Sequence, residues 1–165
     1  MANNKDKDEK YTPEPVIKII KQLLGVKNFS FDPFSSEEAN TIVGAKVFFT
    51  KETDAFRTPW PKAKSFFCNP PYSRELMSPA IDRLIDQSRN FKRGAVLVHS
   101  STSARWFHKL MDWCDEVWFP EVRINFWLPN GIQTKGNDRP STVFIKGSKR
   151  KFVVEYKYKT IVIRY

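Results

Sequence analysis

Cysteine, histidine and glycine are all scarce in this chain of 165 residues, which has two cysteines, two histidines and six glycines. Cys68 and Cys114 lie within apolar stretches and do not form a disulfide framework, so we expect reduced, buried thiols in a cytoplasmic protein. His99 and His108 have no partner ligands at the spacing that metal sites use. The sequence therefore predicts no metal centre.

Long apolar runs and a surplus of acidic residues are also missing. No apolar stretch approaches the length that spans a bilayer, and the start of the chain is charged rather than signal-like, so we expect a soluble protein. Lysine and arginine number 28 against 18 aspartate and glutamate residues, which gives a net charge of +10 and a pI near 9.7. This excess of positive charge favours a polyanionic partner such as DNA, RNA or an anionic membrane surface.

Helical and strand patterns alternate along the chain, whose length suits one domain. Thr12 is placed to cap a first helix, whose apolar stripe ends at Gly25, and further helices are predicted to begin at Ser78 and at Thr102 or Ser103. Strands are predicted at residues 29–32, 46–49, 65–68, 95–99, 116–119, 122–127 and 142–146. The alternation predicts an α/β fold with a doubly wound sheet, whose ligands bind at the carboxyl ends of the strands.

A short motif, Asn69-Pro70-Pro71-Tyr72, directly follows the apolar strand predicted at residues 65–68. The side-chain oxygen of Asn69 and the backbone carbonyl of Pro70 can each accept one N–H of an amine, which frees its lone pair to attack a methyl donor. Pro70 and Pro71 restrict the backbone, and Tyr72 can stack on a planar base. The motif predicts a site that methylates the amino group of a base. The alternative is an ordinary strand exit with a half-buried tyrosine.

Two aspartates follow the ends of other predicted strands. Asp32 ends the strand at 29–32, and Asp54 lies in the segment after the strand at 46–49. A cofactor with ribose, adenine and amino-acid moieties needs carboxylates for its hydroxyls or ammonium group and for its adenine amine, so both side chains are candidates for binding it. In the alternative interpretation Asp32 only begins a turn and Asp54 is a solvated loop residue.

Several motifs, in this order, resemble those of the phage-type, Dam-like DNA adenine methyltransferases. They are Thr12-Pro13, Asp32-Pro33-Phe34, Phe48-Phe49-Thr50 with Asp54, Cys68 to Ser73, and Arg105 to His108. The resemblance implies a methyltransferase domain at residues 11–147 with a Rossmann-like class I sheet, in a protein encoded by a phage. Residues 1–10 are polar and predicted to be disordered, and residues 148–165 form a basic extension that alternates like a β-hairpin.

For the site, the resemblance implies S-adenosylmethionine as methyl donor and adenine in DNA as acceptor. The catalytic target-amine site would then comprise Asn69, Pro70, Pro71 and Tyr72. The donor site would comprise Thr12, Pro13, Asp32 and Asp54, supported by Pro33 and Phe34. One departure concerns the donor site. Many methyltransferases have a glycine-rich turn after the first strand, but no glycine follows Asp32, and bulkier residues there would weaken donor binding.

Basic residues beyond these motifs are candidates for DNA contact. The segment from Arg123 to Arg139 includes Lys135 and several apolar residues, so it can read bases and fill the stack that a flipped-out adenine leaves. A plain surface hairpin is the alternative. Arg105 lies in the first turn of the helix predicted to begin at Thr102 or Ser103, beyond the central strand, and can meet the base or its backbone.

The C-terminal extension contains a further basic cluster. Lys149, Arg150 and Lys151 lie at its start, where they either follow DNA phosphates or protect an edge strand from pairing with another chain.

Two other functions fit the same residues. The motif at Asn69 is suited to binding an amino group but does not specify the base that bears it. The amino group of cytosine and a base in RNA are therefore alternative acceptors. A chain that kept the base site but had a degenerate donor site would be a non-catalytic nucleic-acid-binding protein.

Overall fold

Helices and strands alternate through the computed structural model, which describes residues 10–135 and 139–148 and the backbone of residues 160–164. The helices are α1 (Glu14–Leu24), α2 (Glu37–Val43), α3 (Arg74–Gln87) and α4 (Arg105–Trp113), and a 3-10 turn spans Ser88–Asn90. The strands are β1 (Phe31–Asp32), β2 (Val47–Phe48), β3 (Ala63–Cys68), β4 (Phe91–His99), β5 (Glu116–Pro120), β6 (Ser141–Lys146) and β7 (Thr160–Arg164).

The seven strands of the described residues belong to one sheet, in the order β2-β1-β3-β4-β6-β5-β7. The strands β2, β1, β3 and β4 are parallel, whereas β6 is antiparallel to β4 and β5, and β7 is antiparallel to β5. Side chains of the central strands point alternately to two cores. Phe67 and Leu97 pack with α1 and α2 on one face, and Phe66 and Val96 pack with α3 and α4 on the other. The predicted Rossmann-like α/β fold is confirmed.

A crevice forms where the chain leaves β1 and β3 in opposite directions. After β1 it passes through α2 to β2 at the edge of the sheet, and after β3 it passes through α3 to β4 on the other side. Open α/β sheets bind their ligands at such a point, at the carboxyl ends of the strands. Asp32 ends β1 and Asn69 directly follows β3, so both face this crevice from the strands beside it.

Three helix starts differ from the sequence predictions. The N-cap of α1 is Pro13, without a side-chain capping bond from Thr12, although Gly25 ends the helix as predicted with a φ of 65°. Helix α3 begins at Arg74 rather than Ser78, because Met77 in its first turns is buried in the core. Helix α4 begins at Arg105, since the preceding residues form a turn in which Ala104 N–H bonds to the Ser101 carbonyl at 2.9 Å.

Helix α2 was not predicted from the sequence. Ser36 caps it by accepting a hydrogen bond from the Ala39 N–H at 3.1 Å, Glu37 and Glu38 occupy its first turn, and Gly44 ends it. A capping serine followed by two acidic residues is a helix-start signal. The signal was missed because the helix has only seven residues and therefore a short apolar stripe.

The strand predicted at residues 122–127 is wrong. Apart from isolated bridges from Trp127 to Tyr11 and Gln133, this segment forms no strand. The physical reason is that Ile124 and Phe126 are buried in the core that also contains α1, and Trp127 pairs with Tyr11 rather than with a strand of the sheet.

Predictions for the two ends of the chain fall largely outside the described residues. The disorder predicted for residues 1–10 falls on residues 1–9, outside the described part, and on Lys10, whose carbonyl accepts a hydrogen bond from Asn69. The first part of the basic extension, residues 149–159, also lies outside the described part. Within the described part, β7 pairs with β5, so residues 160–164 belong to the main sheet. None of the helices described here is both long enough and apolar enough to span a bilayer.

Candidate active site

A cavity of about 460 Å³ opens at the carboxyl ends of β1 and β3. Its volume falls in the range typical of small-molecule sites. It is lined by seven of the predicted site residues: Thr12, Asp32, Pro33, Phe34, Asp54, Asn69 and Pro71. The fold thus brings the predicted donor residues and the Asn69 motif to one cavity. Pro13 and Pro70 are buried and Tyr72 is half-buried, and these three predicted residues do not line the cavity.

The lining of the cavity is acidic, although the whole chain is basic. Among the described residues it includes the carboxylates of Asp32, Glu37, Glu38, Glu52 and Asp54. The lysines on the same wall are Lys10 and Lys51. A local excess of carboxylates in a chain of net charge +10 favours a ligand that carries positive charge.

Asp32 is the most deeply buried of these carboxylates, with 2% of its surface exposed. Burial raises its pKa to about 7, although hydrogen bonds from the Phe34 N–H, at 3.2 Å, and from the Ser35 side chain oppose this shift. A cation or further hydrogen-bond donors beside this carboxyl would lower its pKa again and keep it ionised.

Apolar and unpaired polar groups complete the cavity. Phe34 and Phe56 lie with their ring centroids 5.3 Å apart, and Val43 and Leu76 add aliphatic surface, so an aromatic ring can bind here. The hydroxyl of Thr12 is buried and has no hydrogen-bond partner among the described residues, which is unusual for a buried polar group.

The loop that lacks glycine leads from Pro33 directly into α2. Ser35, Ser36 and Ala39 of this region also line the cavity. The bulkier residues after Asp32 therefore form one wall of the cavity and leave it open.

The side chain of Asn69 is held at both ends. Its Nδ2 donates to the carbonyl oxygen of Lys10 at 2.8 Å, and its Oδ1 accepts from the hydroxyl of Tyr72 at 2.5 Å. The same hydroxyl lies 3.3 Å from the carbonyl oxygen of Leu97. These bonds fix which way the amide points and leave Oδ1 a second lone pair for another donor.

Tyr72 packs against His99, with ring centroids 4.1 Å apart. Burial raises the pKa of Tyr72, so its hydroxyl keeps the proton that it donates to Asn69. Burial, together with the charges of Lys10 and Arg139, lowers the pKa of His99 to about 4, and its ring is neutral at physiological pH. His99 thus covers one side of the tyrosine ring.

The predicted DNA-contact residues are spread over α4, the segment 121–139 and the C-terminal extension. Arg105 is the exposed first residue of α4, and Arg123, Lys135 and Arg139 are exposed along residues 121–139. Lys149, Arg150 and Lys151 lie outside the described residues.

The apolar side chains of residues 121–135 also differ in exposure. Phe126, one of the apolar residues of the segment predicted to fill the vacated stack, is completely buried. The exposed apolar side chains of the segment are instead Val122, Trp127 and Ile132, of which Ile132 is 60% exposed.

Several cavity residues were missed by sequence reasoning. Lys10 and Tyr11 directly precede the Thr12-Pro13 motif, and Ser36 to Ala39 belong to the missed helix α2. Phe56 and Leu76 have no local signal that separates them from other apolar residues. Within the described part of the chain, no group of three or more His, Cys, Asp or Glu side chains is arranged to hold a metal ion.

Comparison with known proteins gives one family match. A sequence model of the family described as DNA N-6-adenine-methyltransferase (Dam) matches residues 1–164, which includes both the cavity and the Asn69 motif. No curated protein gives a significant match to the chain.

Proposed function

The chain belongs to the DNA N-6-adenine-methyltransferase (Dam) family, whose members methylate the N6 amine of adenine in DNA, and we propose that its methyl donor is S-adenosylmethionine bound between β1 and β3. The acidic lining of the cavity is the observation that carries this proposal. S-adenosylmethionine has positive sulfonium and ammonium groups, and carboxylates in a partly enclosed site attract such groups more strongly than they would in water.

The residues around the cavity fit the parts of this donor. Asp32 can bind its ribose hydroxyls or its ammonium group, and Asp54 its adenine amine. Phe34 and Thr12 offer an aromatic face and a free hydroxyl, while Pro13 and Pro33 hold the backbone beside them. When bound, S-adenosylmethionine supplies an electrophilic methyl group.

Asn69 and Pro70 would activate the target amine. The adenine amine is a poor nucleophile because its lone pair is delocalised into the ring. Acceptance of one N–H by Asn69 Oδ1 and of the other by the Pro70 carbonyl favours a tetrahedral nitrogen, whose lone pair can attack. Pro71 keeps the backbone of the motif rigid, and the methylated nitrogen then releases its proton to water.

DNA would approach from the side of residues 121–139. An adenine inside a duplex cannot reach Asn69, so it must be flipped out, at a cost that other contacts with DNA offset. Exposed Trp127 and Ile132 can fill the vacated stack, and Arg123 and Lys135 can bind bases or phosphates. Further phosphate contacts are proposed for Arg105, Arg139, Lys149, Arg150 and Lys151.

The decisive experiment is nucleoside mass spectrometry of double-stranded DNA incubated with the protein and S-adenosylmethionine. We expect N6-methyladenine to form in DNA, and only when the donor is present. N4-methylcytosine, or methylation of RNA alone, would contradict the adenine assignment. No methyl transfer, together with no calorimetric binding at millimolar donor, would favour a non-catalytic DNA-binding protein.

Substitutions of Tyr72 should separate its ring from its hydroxyl. We expect Tyr72→Ala to lower kcat/KM by about 10- to 100-fold, because a base–aromatic stack contributes roughly 1–3 kcal/mol. Tyr72→Phe keeps the ring and loses only the hydrogen bonds to Asn69 and Leu97, so its loss should stay below about tenfold. The measurement is steady-state methylation of a duplex oligonucleotide. Full activity of Tyr72→Ala would exclude a stacking role.

A further inference from the structure

The residues before α1 connect Asn69 to a distant segment of the chain. Lys10 accepts the hydrogen bond from Asn69 Nδ2, across 59 positions in sequence. The next residue, Tyr11, exchanges two backbone hydrogen bonds with Trp127, at 2.8 Å and 3.0 Å. We infer that this Tyr11–Trp127 bridge is a positioning element: it holds the Lys10 carbonyl in place, and that carbonyl sets the orientation of the Asn69 amide. The inference rests on the proposed role of Asn69 as an acceptor for the adenine amine.

The orientation of the amide decides whether Asn69 can act. Rotation of the side-chain amide by half a turn would exchange Oδ1 and Nδ2, so that a donor rather than an acceptor would face the target amine. A backbone carbonyl only accepts hydrogen bonds, so Lys10 selects the orientation in which Nδ2 points to it. The Tyr72 hydroxyl, which donates to Oδ1, selects the same orientation from the other end.

Both ends of the connection are fixed in the fold. On one side the buried Thr12 and the capping Pro13 lead directly into α1. On the other side Trp127 follows the fully buried Phe126, whose carbonyl accepts a hydrogen bond from the Thr134 N–H at 2.8 Å. The bridge therefore transmits the position of a packed segment, rather than that of a free loop, to Asn69.

The same segment contains the groups proposed to meet DNA. A tight turn beyond Trp127, closed by a 2.9 Å bond from the Leu128 N–H to the Ile132 carbonyl, presents the exposed Ile132, and Lys135 follows it. The bond from Asn69 to Lys10 and the two bonds between Tyr11 and Trp127 thus connect the Asn69 amide to a proposed DNA-binding surface. A displacement of this turn on DNA would reach Asn69 through the bridge.

The geometry also explains why this position is asparagine rather than aspartate. Aspartate would keep an acceptor for the target amine, but it would place a carboxylate oxygen against the Lys10 carbonyl, where the structure has a 2.8 Å hydrogen bond. Two acceptors at that distance repel each other.

Proline and alanine substitutions at the bridge test the inference. Tyr11→Pro and Tyr11→Ala both remove the aromatic ring, but only proline removes the N–H that bonds to Trp127. We expect kcat at saturating donor and DNA to be at least about tenfold lower for Tyr11→Pro than for Tyr11→Ala, with similar Tm and KM for DNA. Trp127→Pro and Trp127→Ala form a second matched pair. The double variant with both prolines removes both hydrogen bonds of the bridge, so we expect it to lose at least as much kcat as either single proline variant.

A second measurement does not depend on activity. The side-chain amide of Asn69 can be followed by NMR, with its signals assigned from their loss in Asn69→Asp. We expect these signals to shift in Tyr11→Pro and to stay near their wild-type positions in Tyr11→Ala. Equal kcat and equal amide signals in the two variants would overturn the inference. A wild-type protein without methyl transfer, whose Asn69 amide still responds to Tyr11→Pro, would instead refute the proposed function alone.

Discussion

Replacing Asn69 by alanine is expected to lower kcat for adenine methylation by at least about 100-fold, which is the typical cost of losing one preorganised hydrogen-bonding group in a transition-state site. Alanine removes one of the two acceptors that free the lone pair of the amine. It also leaves the Tyr72 hydroxyl without its bond to Oδ1 and the Lys10 carbonyl without its donor. The loss of kcat should therefore have two causes: the missing acceptor at Asn69, and the lost hydrogen bonds that hold Tyr72 and Lys10 in place.

Single-turnover methylation of a duplex oligonucleotide measures this effect without interference from product release. Asn28→Ala is a suitable control, since Asn28 is exposed near the amino end of β3, at the opposite end of the strand from Asn69. We expect this control to keep wild-type kcat. A rate for Asn69→Ala within about fivefold of wild type, at unchanged Tm, would show that Asn69 is not the acceptor.

Local patterns were enough to predict the fold and that residues following β1 and β3 lie together. The apolar runs at β3 and β4 predicted strands, and the polar residues that follow β1 and β3 predicted ligands at their carboxyl ends. Asp32 and Asn69 do meet at one cavity. This succeeded because the direction of a parallel strand already determines the edge at which the next residues lie.

Contacts between distant segments were beyond sequence reasoning. The bond from Asn69 to Lys10 and the bridge from Tyr11 to Trp127 join backbone groups, and a backbone group is the same whatever side chain it bears. The predicted strand at residues 122–127 failed for a related reason. Its alternating pattern does not reveal that Ile124 and Phe126 pack in the core beside α1 while Trp127 pairs with Tyr11.

The local charge of the cavity was also beyond sequence reasoning. The net charge of +10 predicted a polyanionic partner but did not reveal an acidic cavity inside a basic chain. That cavity exists because β1, the first turn of α2 and the segment 50–54 bring their carboxylates together. One protein can therefore attract a polyanion over its surface and a positively charged donor within its crevice.

Replacing Asp32 by asparagine is expected to weaken binding of S-adenosylmethionine by about 10- to 100-fold, the range for losing hydrogen bonds to a charged group. Asparagine keeps the size of the side chain and removes its charge. Affinity for DNA should change by less than about twofold, because the buried Asp32 faces the cavity rather than the surface. Separate calorimetric titrations with donor and with DNA measure the two effects. Asp112→Asn, at an exposed position of α4, is the matched control.

The affinity for the donor should also depend on pH, through the ionisation of Asp32. With the pKa of Asp32 raised to about 7, a donor that needs the ionised carboxyl should bind about tenfold more weakly for each pH unit below that value. Asp32→Asn should lose this dependence and keep only the titration of the donor itself.

The stability of the unliganded protein should change with pH in the opposite direction. A raised pKa means that the folded state holds the Asp32 proton more tightly than the unfolded chain, so this contribution to stability is present at low pH. It is lost as the pH rises from the ordinary value of 3.8 to about 7. The same burial that costs stability near neutral pH thus leaves a carboxylate whose ionisation a positively charged donor can restore. If the pH profiles of donor affinity were parallel for wild type and Asp32→Asn, ionisation of Asp32 would not control donor binding.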